Sequence, residues 1–440
     1  MRNKMNRRQF LKKSTSTAMA GLGFPYIISS SALGKNGGVA PSNRIVIGFI
    51  GAGRIASRRL IPGFLNEEGT QVVAVCDVEK LKVKAEQEAI NSYYAGKAGS
   101  GSYKGCEVYT DFRQLLGRDD IDAVVIATPD HWHAVMVDHA AKAGKDIYCE
   151  KPLSLTIAEG RAMVNAVRRY GRVLQTGSMQ RSDGKFRHAC ELVRNGYIGE
   201  IKKVEVSIGG LGGGFFFAAA DCDLSGEPVP EHLDWDMWLG PAPQRPYNHI
   251  LAHVTGTPGW ANWRSYYDYS GGQITDWGAH HLDITQWGLG MDHSGPVEVI
   301  PADDKNPNRL TYIYDGGIPV TFDDGDRQVL FTGTKGTISV GRRAIRTTPE
   351  SLVHHSIGPN EIRLYRSNNH YGDWLDSIRT RTKPICDVET GVRSVSVCHL
   401  GNIATRLGRA LKWNPEKEHF VNDPQADRFL DRAKRSPWSL

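Results

Sequence analysis

The chain has little cysteine: seven residues, at positions 76, 106, 149, 190, 222, 386 and 398, with no C-x-x-C pair among them. So scattered and odd-numbered a set suits neither a disulfide scaffold nor a zinc ribbon. Cys76 and Cys149 fall inside apolar strand-like runs, so buried, reduced thiols are expected. Long hydrophobic runs are missing as well. No segment reaches the roughly 20 apolar residues of a membrane-spanning helix, so no stable membrane insertion is expected. With 40% hydrophobic and 23% charged residues, the composition is globular rather than disordered or collagenous. A length of 440 residues suggests two or three domains, and no internal repeat or low-complexity tract is present.

Acidic residues are absent from the first 33 positions, which hold Arg2, Lys4, Arg7, Arg8, Lys12 and Lys13. These six account for the whole net charge of +6, and the remaining 48 bases match 48 acids. No electrostatic case for nucleic acid or another polyanion survives. Residues 1–33 read instead as an export signal. Asn6-Arg7-Arg8-Gln9-Phe10-Leu11-Lys12-Lys13 fits the twin-arginine pattern, 18–28 is a short apolar stretch, and Ser29-Ser30-Ser31-Ala32 offers a cleavage site. The plainer alternative is a basic, frayed terminus with a chance Arg-Arg pair. On the export reading the protein crosses to the periplasm already folded, with any cofactor inside.

From Arg44 onward, strand and helix alternate. Residues 45–50 are a continuous apolar run, followed by Gly51-Ala52-Gly53 and a helical stretch to Leu65. A second run at 71–76 leads into Asp77 and an amphipathic helix, and 91–106, rich in Gly, Ser and Tyr, reads as an inserted loop. Asp111 caps a short helix, 121–127 is a strand, and a helix runs from about His133 to Ala143. Another strand at 146–149, one helix and a last strand near Thr176 complete the unit. Apolar runs without alternation, separated by helices, predict a parallel sheet covered on both faces. After residue 180 the strands are short (201–208, 297–300, 310–314, 320–322, 328–332, 336–340) and joined by Gly or Asp-Gly turns, which predicts a mostly antiparallel sheet. Residues 209–272 form a long irregular insertion, and helices return at 371–380 and 389–411.

Gly51-Ala52-Gly53-Arg54-Ile55-Ala56 fits G-x-G-x-x-A between a strand and a helix. Gly51 permits the tight turn, Gly53 lets a pyrophosphate approach the backbone, and Ala56 allows close packing. The helix N-terminus supplies N–H groups for phosphates. Two glycines alone are common in such turns; the strand–helix context and Asp77 after the second strand carry the reading. Asp77 would accept from ribose hydroxyls and repel a 2′-phosphate, favouring NAD over NADP, although Arg54 is a nearby cation. It also suits a helix N-cap.

Taken in order, these motifs resemble a known family. They are Gly51-Ala52-Gly53 with Asp77, Ala127-Thr128-Pro129-Asp130 with His133, Ala143-Gly144-Lys145 leading to Glu150-Lys151-Pro152, Gly271-Gly272, and Asp276-Trp277-Gly278-Ala279-His280-His281-Leu282-Asp283. The set is similar to the glucose–fructose oxidoreductase, inositol dehydrogenase and MocA (Gfo/Idh/MocA) family. Asp130-His131-Trp132-His133 and Cys398-His399-Leu400-Gly401-Asn402 further resemble exported members from glycan-degrading bacteria. The resemblance implies an α/β fold. After the signal at 1–33, residues 42–178 would be a Rossmann NAD-binding domain. Residues 179–440 would be an α/β domain with a large, open, mostly antiparallel sheet for substrate binding and oligomerisation. It further implies a cis Lys151-Pro152 peptide, a homodimer or homotetramer, and cofactor contacts at Gly51, Gly53, Arg54, Ile55, Asp77, Thr128, Pro129, Asp130, His133, Glu150 and Lys151. Lys151, Asp276 and His280 match the family's catalytic set.

The residue chemistry can be argued separately. Lys151 follows the carboxyl end of a parallel strand, where open sheets bind ligands, and a cation there can stabilise a developing alkoxide. By itself it could equally be a surface lysine paired with Glu150. Asp276 and His280 are spaced i, i+4 and would share a helix face, letting the carboxylate fix the imidazole tautomer for acid–base work. The alternative is a helix cap and a packed polar histidine. His281 and Asp283 suit structural roles. His131 and His133 suit capping and cofactor-edge contacts, and no metal is expected. Gln180, Arg181, Arg264 and the aromatics of 260–269 suit a sugar, although core packing explains aromatics equally well.

Two enzyme readings follow. One is a periplasmic dehydrogenase or reductase of a sugar or glycoside, with C3 the expected reacting carbon. Its NAD would be tightly bound, because a periplasm supplies no free NAD. The other is a redox-neutral glycosidase acting through a transient 3-keto sugar. The related α-N-acetylgalactosaminidases carry Tyr-Pro-Thr-His where this chain has Asp276-Trp277-Gly278-Ala279-His280, which favours the first. A non-catalytic sugar-binding protein is a third possibility, disfavoured by Lys151, Asp276 and His280.

Overall fold

The computed structural model describes residues 43–98, 104–209, 217–302, 309–323 and 325–440. The twin-arginine segment lies outside them.

β1 (Ile45–Ile50) is buried at every position but Val46, as a central strand must be. A wider turn at Ala56–Leu60 leads into α1 (Ile61–Leu65). Next come β2 (Thr70–Cys76), α2 (Lys80–Ala98), β3 (Glu107–Tyr109), α3 (Phe112–Leu116) and β4 (Ala123–Ile126). The half closes with α4 (Asp130–Lys142), β5 (Asp146–Cys149), α5 (Ile157–Arg169) and β6 (Leu174–Thr176). The strands form one parallel sheet in the order β3-β2-β1-β4-β5-β6. Asp111 caps α3 by accepting from the Arg113 N–H.

Two boundaries differ from the sequence reading. α2 continues to Ala98, through residues whose composition predicts a loop from 91. Tertiary contacts override weak helix propensity there. Ile90 is fully buried, the Tyr93 hydroxyl donates to the Leu65 carbonyl at 2.6 Å, and Tyr94 accepts from the Val72 N–H at 2.8 Å. α4 starts at Asp130 rather than His133, directly after an extended Pro129.

The second half contains α6 (Gly184–Arg194), β7 (Ile201–Ser207), α7 (Trp235–Leu239), α8 (Gly272–Asp276), α9 (Gly278–Leu289), β8 (Glu298–Ile300), β9 (Thr311–Tyr314), β10 (Ile318–Asp323), β11 (Gln328–Gly333), β12 (Thr337–Val340), β13 (Ile345–Thr348), α10 (His370–Thr380), α11 (Val388–Leu407), β14 (Leu411–Asn414) and β15 (His419–Phe420). Among the described residues its nine strands run β13-β12-β11-β7-β10-β9-β8-β14-β15, and only β7–β10 is a parallel pair. Val204, Val206 and Ile208 sit in the core with Phe331 and Tyr312, beneath residues of α6, α9 and α11. On the other face Lys203 and Glu205 pair at 3.0 Å, so β7 is polar there. α10 does not stay with this sheet: Trp374, Leu375 and Ile378 share a core with Phe64 of α1 and with Tyr148 and Val125 of the first sheet.

The described part of the insertion, 217–271, has its own apolar cluster around Trp235, Trp238, Tyr247, Trp263 and Tyr269. It is pinned to the exit of β2, where the Lys80 N–H donates to His232 O at 2.9 Å and the Asp234 N–H to Val78 O at 3.0 Å. It is also pinned to α4, because the Trp132 Nε1–H donates to the Trp238 carbonyl at 3.0 Å. Among the described residues no helix is long and apolar enough to cross a membrane.

Candidate active site

One cleft of about 1040 Å³ runs from the C-terminal ends of β1, β2, β4 and β5 to the second sheet. Its walls include Gly51, Gly53, Arg54, Ile55, Asp77, Thr128, Pro129, Asp130, Glu150, Lys151, Gln180, Arg264, Asp276 and His280. Its position follows from topology: β1 is where the strand order reverses, and the adjoining loops part to leave a crevice.

The two glycines of the first turn have different reasons. Gly51 has φ +98°, and a Cβ would lie 2.5 Å from the Ala127 carbonyl oxygen, so the fold itself requires glycine. A Cβ on Gly53 meets no protein atom within 4 Å. Packing does not demand glycine there; a ligand lying against the backbone would. Asp77 is fixed by accepting from the Ala52 N–H at 2.7 Å and the Glu79 N–H at 2.9 Å, with lone pairs left over toward the cleft. Open space over Gly53, a helix N-terminus and a positioned carboxylate fit the pyrophosphate and ribose of a dinucleotide.

The insertion closes over this end. Arg54 donates to the Gly259 carbonyl at 2.8 Å, Lys82 to His253 O at 2.6 Å, and the Thr255 hydroxyl to the fully buried Glu79 at 2.6 Å.

At the other end the Lys151 ammonium donates to the Asp276 carboxylate at 2.7 Å and to its carbonyl at 2.9 Å. These use two of its three N–H donors, and among the described residues the third has no partner. The Lys151-Pro152 peptide is cis. Arg264 approaches Asp276 at 3.6 Å and lies 4.1 Å from the centre of the Trp263 ring. Burial favours a protonated Asp276, but Lys151 and Arg264 outweigh it and hold the carboxyl below its usual range. His280 is pushed well below the ordinary histidine range by burial, then by Lys151 and Arg342, so its ring is neutral. Its buried Nδ1 has no hydrogen-bond partner among the described residues. Asp130, which accepts from the Ser270 hydroxyl at 2.5 Å, and Glu150 are both raised to about 7 by burial.

Three expectations are corrected. Asp276 does not orient His280. Its carboxylate turns instead to the Lys151 ammonium, a full charge at 2.7 Å, and the His280 Nδ1 is left without a partner among the described residues. Arg181 does not line the cleft. It is fully buried, bonded to Asp283 at 2.9 Å and Asp292 at 2.7 Å, with Trp287 beneath it. His133 also lies behind the cleft. α4 starts early enough to turn it inward, and its ring nitrogens face the Pro152 and Thr128 carbonyls at 2.9 and 3.0 Å. Burial lowers it to about 4. Among the described residues no three His, Cys, Asp or Glu side chains cluster to hold a metal ion, and all seven cysteines are unpaired.

Sequence reasoning missed Trp277, Gln273, Arg327 and Arg342, which all line the cleft. The last two follow no motif; the second sheet's hairpin brings them in.

Two family models match the chain: "Oxidoreductase family, NAD-binding Rossmann fold" over residues 45–178 and "Oxidoreductase family, C-terminal alpha/beta domain" over 183–440. A "Glycosyl hydrolase family 109 protein" of Solibacter usitatus is 35% identical over 168 residues, 37% of this chain and 36% of that protein. The chain thus matches little more than a third of that relative's length. Among solved structures, aldose-aldose oxidoreductase from Caulobacter crescentus, complexed with glycerol, superposes with TM-score 0.57 at 20% identity, covering 84% of this chain and 99% of that one. The WlbA dehydrogenase from Bordetella pertussis, in complex with NADH and UDP-GlcNAcA, gives TM-score 0.57 at 17% identity, with 84% and 99% covered. At these identities the two structures speak for the fold.

Proposed function

Because the chain belongs to the Gfo/Idh/MocA oxidoreductase family, we propose that it is an NAD-dependent oxidoreductase acting on a secondary alcohol or ketone of a sugar or glycoside, with C3 the expected carbon. The observation that carries this reading is one cleft holding both the open Gly53 backbone and a Lys151–Asp276 pair, together with a neutral His280 whose Nδ1 has no hydrogen-bond partner among the described residues. Gly51, Gly53, the first turn after them, Asp77, Thr128 and Pro129 would hold the dinucleotide. When bound, its nicotinamide supplies the hydride acceptor or donor.

The protein's own groups do the rest. Lys151, anchored twice by Asp276, points its free N–H at the substrate hydroxyl and stabilises negative charge as it grows on that oxygen. His280, neutral near pH 7, takes the hydroxyl proton during oxidation and returns it during reduction. Arg264 and Asp276 keep the local charges balanced.

Retention of the cofactor is part of the proposal. The bonds from Arg54, Lys82 and Glu79 to the 253–259 segment close the insertion over the dinucleotide end. With the Arg7-Arg8 segment, this supports folding and loading in the cytoplasm followed by export to the periplasm. Asp77 favours NAD over NADP. Assembly as a homodimer or homotetramer completes the reading and is checked by light scattering at micromolar concentration.

The glycosidase reading is kept by one observation, the 35% identity to a glycosyl hydrolase family 109 protein. Protein purified without added nucleotide should carry near-stoichiometric NAD(H). It is then incubated with a glycoside panel, following nicotinamide absorbance and product mass. Loss of two hydrogens from the sugar supports oxidation; aglycone release supports the glycosidase. Protein shown to hold NAD that gives neither a change in absorbance nor release of aglycone with any glycoside or keto-sugar would sink both.

A further inference from the structure

Arg327 and Arg342 line the cleft and have no part in the chemistry above. Arg327 precedes β11 and Arg342 follows β12; the antiparallel register, with Val329 opposite Val340, brings both to one end of the hairpin. Their guanidinium carbons lie 3.6 and 4.7 Å from the centre of the Trp277 ring. That ring is 5.5 Å from the His280 imidazole, so the two cations stand one indole away from the acid–base group.

Among the described residues neither cation has an ion-pair partner. Arg327 donates its Nε–H to the Ile208 carbonyl at 3.0 Å, an uncharged acceptor. Arg342 makes no hydrogen bond or ion pair among the described residues; beyond its Trp277 contact, the charged groups acting on it are Arg59, Arg327 and Asp276. Two of those are cations, and Asp276 is already committed to Lys151. Like charges gathered in a cleft repel unless a ligand compensates them. Gln180 is an independent pointer to a ligand: it is 4% exposed, lines the same cleft, and has no partner for either amide atom among the described residues. A dinucleotide's phosphates would lie at the Gly51–Gly53 turn after β1, whereas Trp277, Arg327 and Arg342 come from the second half of the chain.

We propose that the substrate is an acidic sugar, whose carboxylate or sulfate group is held by Arg327 and Arg342 while its reacting hydroxyl faces Lys151 and His280. The planar guanidinium forks match either anion with paired hydrogen bonds. The inference rests on the oxidoreductase reading and names the substrate class for that site.

The test uses the cofactor-bearing protein and methyl glycosides of gluco, galacto and manno configuration, each as the neutral sugar, the uronate and the 6-sulfate. Calorimetry reads binding, and nicotinamide absorbance reads turnover. At least one acidic glycoside should bind tenfold or more tightly than its neutral counterpart, and uronate against sulfate identifies the anion. Arg342→Gln, which breaks no hydrogen bond among the described residues, should lower that preference about tenfold, with Arg342→Lys keeping part of it. Neutral sugars binding as well as acidic ones, or a preference unmoved by Arg342→Gln and Arg327→Gln, would overturn the anion site. Turnover of neutral glycosides alongside that result leaves the oxidoreductase reading standing. Tight acidic-sugar binding with no absorbance change does the reverse.

Discussion

Arg181→Met asks whether the buried arginine supports the fold or the substrate. Arg181 sits on the turn after β6 and bridges to Asp283 on α9 and to Asp292 just beyond it. α9 is the helix that carries His280. The Arg181 and Asp283 side chains are 2% and 1% exposed, so methionine leaves Asp283 buried with only the Ser394 hydroxyl, at 2.6 Å, to solvate it. Breaking a buried pair this way costs about 3–5 kcal/mol, a large share of a typical net stability of about 5–15 kcal/mol. At about 2 °C per kcal/mol for a large chain, the melting temperature should fall by roughly 6–10 °C. Burial already raises the Asp283 carboxyl even with Arg181 beside it, and removing the arginine raises it further. A folded-state pKa above the unfolded one makes stability fall as pH rises. The loss relative to wild type should therefore be larger at pH 8 than at pH 5. Removing both partners with Arg181→Met/Asp283→Leu should recover part of it. Thermal melts at the two pH values, with KM for an active glycoside, decide the matter. Unchanged melting with a tenfold rise in KM would mean that Arg181 contacts substrate after all.

His280→Ala should cut turnover about a hundredfold or more, the range of general acid–base catalysis, while NAD content measured by absorbance stays constant. Equal loss of NAD would place the ring in the cofactor site instead. Gly53→Leu should yield folded protein without nucleotide, since its side chain fills the space over the backbone; normal NAD occupancy would refute the cradle. Glu150, raised to about 7 by burial, stabilises the cofactor-free fold when protonated, a contribution present at low pH and lost as pH rises toward 7. Melting of Glu150→Gln should accordingly depend less steeply on pH than wild type between pH 5 and 7, and an identical slope would contradict the assignment.

The parallel sheet was legible because central strands are buried on both faces and leave uninterrupted apolar runs, as at Ile45–Ile50. The glycine turn and Asp77 were legible because strand, turn and helix adjoin in sequence. Lys151 and Asp276 could be named but not paired, since 125 residues separate them and only the fold brings them to 2.7 Å. Local spacing misled where a distant charge competed for the same group. Helix spacing predicts that the Asp276 carboxylate serves His280, and the Lys151 ammonium takes it instead. Arg181 was ambiguous for a different reason: an arginine's surroundings decide whether it binds ligand or buries, and its carboxylates lie about a hundred residues away. Arg327 and Arg342 carried no signal, because a hairpin's register and a distant indole define their place.

The insertion's hold on the dinucleotide end has a kinetic consequence. If the nucleotide is retained beneath 253–259 as proposed, the one cleft would serve both half-reactions, and the sugar that gives up hydride would have to leave before the sugar that takes it could enter. Steady-state rates should then follow a ping-pong law, with parallel lines when one sugar is varied at fixed levels of the other. At high concentration each sugar should inhibit by occupying the form of the enzyme meant for its counterpart. A cleft whose cations select acidic sugars would select them on both visits, so donor and acceptor should share the same charge.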